Sequence, residues 1–329
     1  MEHNQLRDNI QNFSLNNCPQ GNQGYNRVLL QLFGLVGHGK SALINSLKYV
    51  LSKGNFKVHA DSGNIIGGAK TMERRAYELT STITVVDNRG LAKMTDLEMR
   101  MIYAQLGNFM PLNEKVEWKD GYEDFIYKLE DSELDPNYTD FIVPVFIYKV
   151  RAALPEQVMS QIKAFFKICR DMTGVFPIVG LTFKTTGNYF EVEKVFRCLG
   201  AEVVVAVENY SKEDQLQTLG RNTDFLTLLK HVLDNVMFRM EHPRKPKEDR
   251  IQRKKILIKY SHDFDVTEKI KALKINQKSD KAEEHEKELE TLRQEAREAR
   301  RLAAAAMKQV ECDTVSRRHR NRKGACKNQ

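Results

Sequence analysis

Short apolar runs rich in β-branched residues alternate with longer helical patterns between Arg27 and about Met240. This alternation predicts parallel strands joined by crossover helices, each burying its apolar stripe against the sheet. Pro155 stands at a favoured first-turn position and Gly174 just beyond the other end, so they frame one helix. The predicted strands are Val28–Phe33, Ala76–Thr80, Ile83–Asp87, Val143–Tyr148, Phe176–Thr182 and Val203–Val207. The predicted helices are Lys40–Leu51, Thr95–Leu106, Pro155–Met172, Phe190–Leu199 and Thr223–Phe238.

Two segments do not follow this alternation. Residues 1–24 are rich in Asn and Gln and have few apolar anchors, which predicts a flexible N-terminal arm before a main domain at 25–240. Residues 107–140 contain the one tryptophan, Trp118, and many acidic residues. We expect this second segment to be an insertion on the rim of the sheet.

The composition changes after Met240. Residues 241–265 contain two prolines in a basic context and are predicted to be a linker, whereas strong helix formers at 266–311 predict a long C-terminal helix. Its apolar positions have coiled-coil spacing, but most are alanine and bury little area. Self-association and a solvated single helix therefore both remain open. The positions are Leu289, Leu292, Ala296, Ala299, Ala303, Ala306 and Val310.

The net charge of +8 is concentrated at the C-terminal end. Residues 241–329 carry 25 Lys+Arg against 16 Asp+Glu, while residues 1–240 carry 27 against 28. Any binding to anionic lipid or nucleic acid is therefore expected through the basic tail at 312–329. A nuclear import signal and a solvated disordered end are the alternative interpretations of this tail. The tail's basic cluster is Arg317, Arg318, Arg320, Arg322 and Lys323.

The apolar runs and the cysteines indicate a cytoplasmic protein. No stretch reaches the roughly 18 apolar residues of a membrane span, and the first residues lack a signal-peptide pattern. The five cysteines are widely spaced without a CxxC pair, so we expect free thiols. Cys326 is fourth from the end, but Lys327 and Asn328 after it do not form the aliphatic pair of a prenylation site.

The segment GLVGHGKS, residues 34–41, directly follows the first predicted strand and opens a helix. The spacing G-x-x-x-x-G-K-S lets backbone N–H groups turn inward around a phosphate, and the helix N-terminus adds partial positive charge. Lys40 is placed to reach the β- and γ-phosphates, and the Ser41 hydroxyl to bind Mg²⁺. The phosphate-binding candidates are Gly34, Gly37, His38, Gly39, Lys40 and Ser41.

A second motif, DNRG, begins at Asp87, the last residue of an apolar strand and 46 residues after Ser41. Asp87 at the carboxyl end of that strand is placed to hold the coordination shell of Mg²⁺. The Gly90 N–H is placed to bind a γ-phosphate. D-x-x-G alone is a common turn. Its position after a phosphate loop favours the functional interpretation.

GLVGHGKS, DNRG and the later VENY together resemble the P-loop GTPase class, and are most similar to the interferon-induced protein 44 family of GTPase-like proteins. The resemblance covers about residues 25–240. It implies a G-domain-like P-loop NTPase fold, an α/β three-layer sandwich with a mostly parallel sheet, here followed by a long helix. It also implies GTP or GDP with Mg²⁺ as ligands, and a role in innate immunity.

The resemblance also implies roles at other positions. A switch threonine that binds the metal is best matched by Thr71, with Thr80 and Thr82 as alternatives. The base-reading segment corresponds to residues 183–186, which lack the expected Asp, so the choice between GTP and ATP stays open. Lys184 and Asn209 are the base-binding candidates.

Hydrolysis is expected to be slow. Leu91 follows Gly90 where Ras-like GTPases carry a water-orienting glutamine, and Val36 stands where many fast switches have glycine. His38 is the one candidate contributor to catalysis. We therefore expect a nucleotide switch that needs a protein partner or self-association through its C-terminal helix. A nucleotide-binding scaffold without turnover and an ATP-using P-loop kinase are the alternatives.

Overall fold

A computed structural model describes residues 3–52, 54–61, 73–92, 94, 96–115, 125–127, 129, 139–150 and 154–263, with a few isolated positions beyond. In these ranges seven strands form one sheet in the order β4-β2-β3-β1-β5-β6-β7. Strands β1, β3, β5, β6 and β7 are parallel, and β2 runs antiparallel to β3. The strands are β1 Arg27–Phe33, β2 Glu73–Glu78, β3 Ile83–Asp87, β4 Glu114–Lys115, β5 Asp140–Lys149, β6 Ile178–Thr182 and β7 Val204–Ala206.

Helices connect these strands and cover both faces of the sheet. Helix Lys40–Leu51 and strand Ile83–Asp87 have the predicted bounds, and the bounds of the other predicted elements differ by a few residues. Short 3₁₀ turns occupy Leu15–Asn17 and Lys184–Thr186. The helices are α1 His3–Gln11, α2 Lys40–Leu51, α3 Asp96–Leu106, α4 Glu156–Thr173, α5 Tyr189–Cys198, α6 Leu219–Arg239 and α7 at residues 246–263.

Two separate apolar cores flank the sheet because strand side chains alternate between its faces. In β5, Val143 and Val145 face one core, whereas Ile142 and Phe146 face the other. The first core includes side chains of α1, α2 and α6, and the second includes those of α3, α4 and α7. The predicted α/β fold class, a G-domain-like P-loop NTPase sandwich, is therefore confirmed.

The N-terminal arm was expected to be flexible, and this expectation is wrong for the residues that are described. Helix α1 buries Ile10 completely, and Leu15 and Cys18 are also buried in the first core. Gln11 Nε2 donates to the Leu51 carbonyl at 2.6 Å. A few buried apolar residues are enough to anchor a short polar segment on an existing core.

The stretch that was predicted to be a basic linker contains helix α7 instead. Two of its arginines are buried and donate to carbonyls just after α3: Arg250 to Asn108 at 2.8 Å and Arg253 to Gly107 at 3.3 Å. Leu257 is fully buried in the second core. Long side chains with apolar stems explain how a basic sequence can pack as a helix.

The predicted insertion and the C-terminal region are described only in part. Glu114–Lys115 pairs with β2 at the edge of the sheet, whereas Trp118 lies outside the described residues. Residues 263–329 form a second unit, and the coiled-coil positions and the basic tail also lie outside the described residues. Among the described residues, no helix is long and apolar enough to cross a membrane.

Candidate functional site

The loop between β1 and α2 is shaped by glycines in conformations that other residues rarely adopt. Gly34 has φ +139°, and a Cβ there would lie 2.2 Å from the Ile147 carbonyl oxygen. Gly37 and Gly39 also have positive φ, and Gly39 caps α2 without a side-chain hydrogen bond. The first N–H groups of α2 therefore have no side-chain cap, which is the arrangement that binds an anion.

Lys40 opens α2 and turns back over this loop. Its Nζ donates to the carbonyls of Gly34 at 3.0 Å and Leu35 at 3.1 Å, and the side chain is 7% exposed. Burial lowers the pKa of Lys40, and the nearby Asp87 partly opposes that shift. Because an ammonium has three donors, these two bonds leave one for an anionic oxygen.

Ser41 and Asp87 meet at the carboxyl end of β3. Ser41 Oγ donates to Asp87 Oδ2 at 2.6 Å. Asp87 Oδ1 is buried and has no hydrogen-bond partner within the described part of the chain. Burial raises the pKa of Asp87, while Lys40 and Ser41 lower it. A hydroxyl and an unsatisfied carboxylate oxygen fit a magnesium ion, which prefers oxygen ligands.

The residues after Asp87 pack directly on the glycine loop. Leu35 and Leu91 form a parallel bridge, with Val36 N–H bonded to the Leu91 carbonyl at 2.9 Å. A Cβ on Gly90 would lie 3.0 Å from Lys40 Nζ and 3.3 Å from Val36 Cα, so a larger residue here would crowd the loop. The Leu91 side chain is 1% exposed and belongs to the second core.

His38 is directed toward the end of β5. Its Nδ1 accepts the Lys149 N–H at 3.2 Å, and its ring meets Tyr148 edge-on at 4.8 Å. Burial, followed by Lys40 and Lys149, lowers the pKa of His38 to about 4. The imidazole is therefore neutral near pH 7, and these contacts hold the loop against β5.

This buried histidine predicts a pH-dependent stability. The pKa of His38 is lower in the folded state than its ordinary value of 6.5, so protonation in acid favours the unfolded chain. We expect the wild type to lose roughly 2 kcal/mol more than His38→Gln between pH 7 and pH 5. Urea unfolding of both proteins at the two pH values measures this, and equal losses would contradict it.

The predicted base-binding residues lie beside the phosphate loop, in contacts that the sequence did not indicate. Asn209 Nδ2 donates to the Gly39 carbonyl at 3.2 Å, and its Oδ1 is buried without a partner among the described residues. Lys184 Nζ is 2.7 Å from Asp224 Oδ2 of α6. Thr182 Oγ1 donates to the His38 carbonyl at 2.9 Å, so it anchors the loop.

The predicted switch threonine, Thr71, lies outside the described residues. Its alternatives, Thr80 and Thr82, are in the turn between β2 and β3, where Thr80 Oγ1 accepts the N–H groups of Thr82 and Ile83. This turn lies at the opposite end of β3 from Asp87.

The sequence analysis did not identify a buried polar network around Asn88 of the DNRG motif. Arg74 of β2 is 0% exposed and its Nε donates to Asn88 Oδ1 at 3.1 Å. Its other nitrogens donate to the carbonyls of Met110 and Gln105. Asn88 Nδ2 donates to the Leu32 carbonyl at 3.2 Å, which links the motif to β1. The only sequence signal was the Glu-Arg-Arg run directly before the predicted strand Ala76–Thr80.

Comparisons with known proteins show no family for this chain. No protein-family model matches the sequence, and no curated protein matches it. One similar solved structure is that of the chloroplast translocon components atToc33 and psToc159, described as proteins for whose GTPase activity dimerization is important. The TM-score is 0.38 at 12% identity, covering 67% of this chain and 86% of that chain. At these values the similarity carries no information about function.

Proposed function

We propose that this chain is a GTP-binding protein that uses Mg²⁺ and hydrolyses GTP slowly, as a nucleotide-dependent switch or assembly factor. One observation carries the proposal: Lys40, Ser41 and Asp87 converge at the N-terminus of α2, around a loop whose glycines have backbone conformations that other residues rarely adopt. An ammonium, a helix N-terminus and an oxygen pair suited to Mg²⁺ are what a triphosphate requires.

The proposed slow hydrolysis of GTP follows from Leu91, the residue after Gly90. Leu91 is buried and has no polar group to orient water. His38 is neutral, and its Nδ1 already accepts the Lys149 N–H. When bound, Mg²⁺ would neutralise phosphate charge. Ser41 and Asp87 would hold it, Lys40 would orient the terminal phosphates, and Gly90 would offer its N–H to the last of them.

A scaffold that binds nucleotide without turnover is the second candidate, favoured by the buried Leu91. Identification of the nucleotide that copurifies with the protein, followed by phosphate release from GTP and from ATP, separates the candidates. Slow release from GTP is expected for the proposed switch. Tight binding without release would establish the scaffold, and binding of ATP alone would contradict the GTP assignment.

The proposal includes a family, a location, a further metal ligand and two interaction surfaces. We infer membership of the interferon-induced protein 44 family from the motifs at 34–41, 87–90 and 207–210, and with it a cytoplasmic role in innate immunity. Thr71 is the proposed switch ligand of the metal. The C-terminal helix is proposed to engage a protein partner or a second copy, and the basic tail an anionic surface. Induction of the transcript by interferon tests the family role.

A further inference from the structure

The loops that follow β6 and β7 lie side by side next to the phosphate loop. The Lys184 N–H donates to the Val207 carbonyl at 3.3 Å, which holds the two loops together. Thr182 and Asn209 donate to carbonyls of the phosphate loop, one from each of the two strand ends. Both loops therefore belong to the edge of the sheet where ligands of parallel α/β proteins bind.

The sheet order decides which end of a nucleotide reaches these loops. Asp87 and Gly90, which are suited to the metal and the last phosphate, lie on the β3 side of β1. Strands β6 and β7 lie on the opposite side of β1. A triphosphate with its terminal phosphate on the β3 side therefore directs its base over the β6 and β7 loops.

Glu208 is the carboxylate that joins those two loops. Its Oε2 accepts both the N–H and the hydroxyl of Thr185, each at 2.8 Å. These bonds fix the carboxylate beside residues 183–186, which contain no acid of their own. Neither bond uses Oε1. A guanine edge presents two neighbouring N–H donors and needs acceptors without hydrogens, which a carboxylate provides.

Asp224 is the competing carboxylate at this place. Its Oδ2 is 2.7 Å from Lys184 Nζ, in a pair whose side chains are both about one-third exposed or less. The charge of Asp224 is thus compensated by an ammonium. Glu208 instead receives two neutral donors, so its negative charge is retained for the base.

We propose that Glu208 reads the guanine base in place of the acid missing from residues 183–186. This inference rests on the proposed function and gives the reason why the site would prefer GTP to ATP. A carboxylate supplied by the β7 loop accepts from guanine N1–H and N2–H, whereas adenine offers no matching pair of donors. Glu208 is thereby a specificity-determining residue.

Glu208→Gln tests the inference by changing the hydrogen-bond pattern at nearly constant shape. The amide oxygen still accepts from Thr185, so the loop is retained. The amide NH₂ now opposes the guanine amino group but matches the C2 carbonyl of xanthine. By calorimetry we expect GTP affinity to fall at least about 10-fold, and affinity for xanthosine triphosphate to rise above that of the wild type.

Glu202→Gln, an exposed glutamate ahead of β7, is the matched control and should leave both affinities unchanged. Unchanged GTP affinity in Glu208→Gln, or a loss of GTP preference in Asp224→Asn alone, would overturn the inference and leave the phosphate site intact. A wild type that binds GTP and ATP equally would overturn it too. A wild type that binds no triphosphate would instead refute the proposed function.

Discussion

Lys40→Ala is expected to lower the affinity for GTP at least about 100-fold in calorimetry. Charge-assisted hydrogen bonds to a buried phosphate are strong, and the ammonium also offsets the charge of the triphosphate. Lys40 is held over the glycine loop by two carbonyls, so its position is set in advance. Little of the binding free energy is then spent on ordering this side chain.

The control for this variant is Lys48→Ala, a half-buried lysine two turns further along α2. It removes the same charge and stem from the same helix without touching the loop, so GTP affinity should stay within about 2-fold. Urea unfolding without nucleotide shows whether Lys40→Ala is folded. A folded Lys40→Ala protein that keeps full affinity would disprove the phosphate site.

Arg74→Met is expected to lower the free energy of unfolding by about 3 kcal/mol or more. Arg74 is completely buried and donates to Asn88 and to two carbonyls near the end of α3. Methionine fills a similar volume but leaves these acceptors buried without donors, which costs more than the lost bonds themselves. The change is measured by the shift of the urea midpoint at constant slope.

The adjacent Arg75→Met is the matched control. Arg75 is half exposed and forms a surface ion pair with Glu73 at 2.8 Å, so its loss should change the unfolding free energy by less than about 1 kcal/mol. Equal effects of the two substitutions would show that the buried network does not stabilise the DNRG segment. Because Asn88 follows Asp87 directly, we also expect Arg74→Met to weaken GTP binding.

Several parts of the fold could be predicted from local sequence because local physics decides them. The predicted Lys40–Leu51 helix is found with those bounds, because the glycine loop directly precedes its first residue and Ser52, which has an extended backbone, follows its last. Ile83–Asp87 is likewise as predicted, because a buried central strand is apolar on both faces. Strand β2 begins earlier than predicted, since its first residues are charged and owe their position to pairing with β3 and β4.

The sequence alone determined the phosphate loop. Its glycines, lysine and serine all lie within residues 34–41, and their function depends on backbone conformations that the residues themselves impose. Only the tertiary structure decided which distant groups pair with Lys184 and Thr185. Asp224 reaches Lys184 across 40 positions, and Glu208 reaches Thr185 across 23. Such partners depend on how strands and helices pack, because hydrogen bonds between distant residues leave no periodic pattern along the chain.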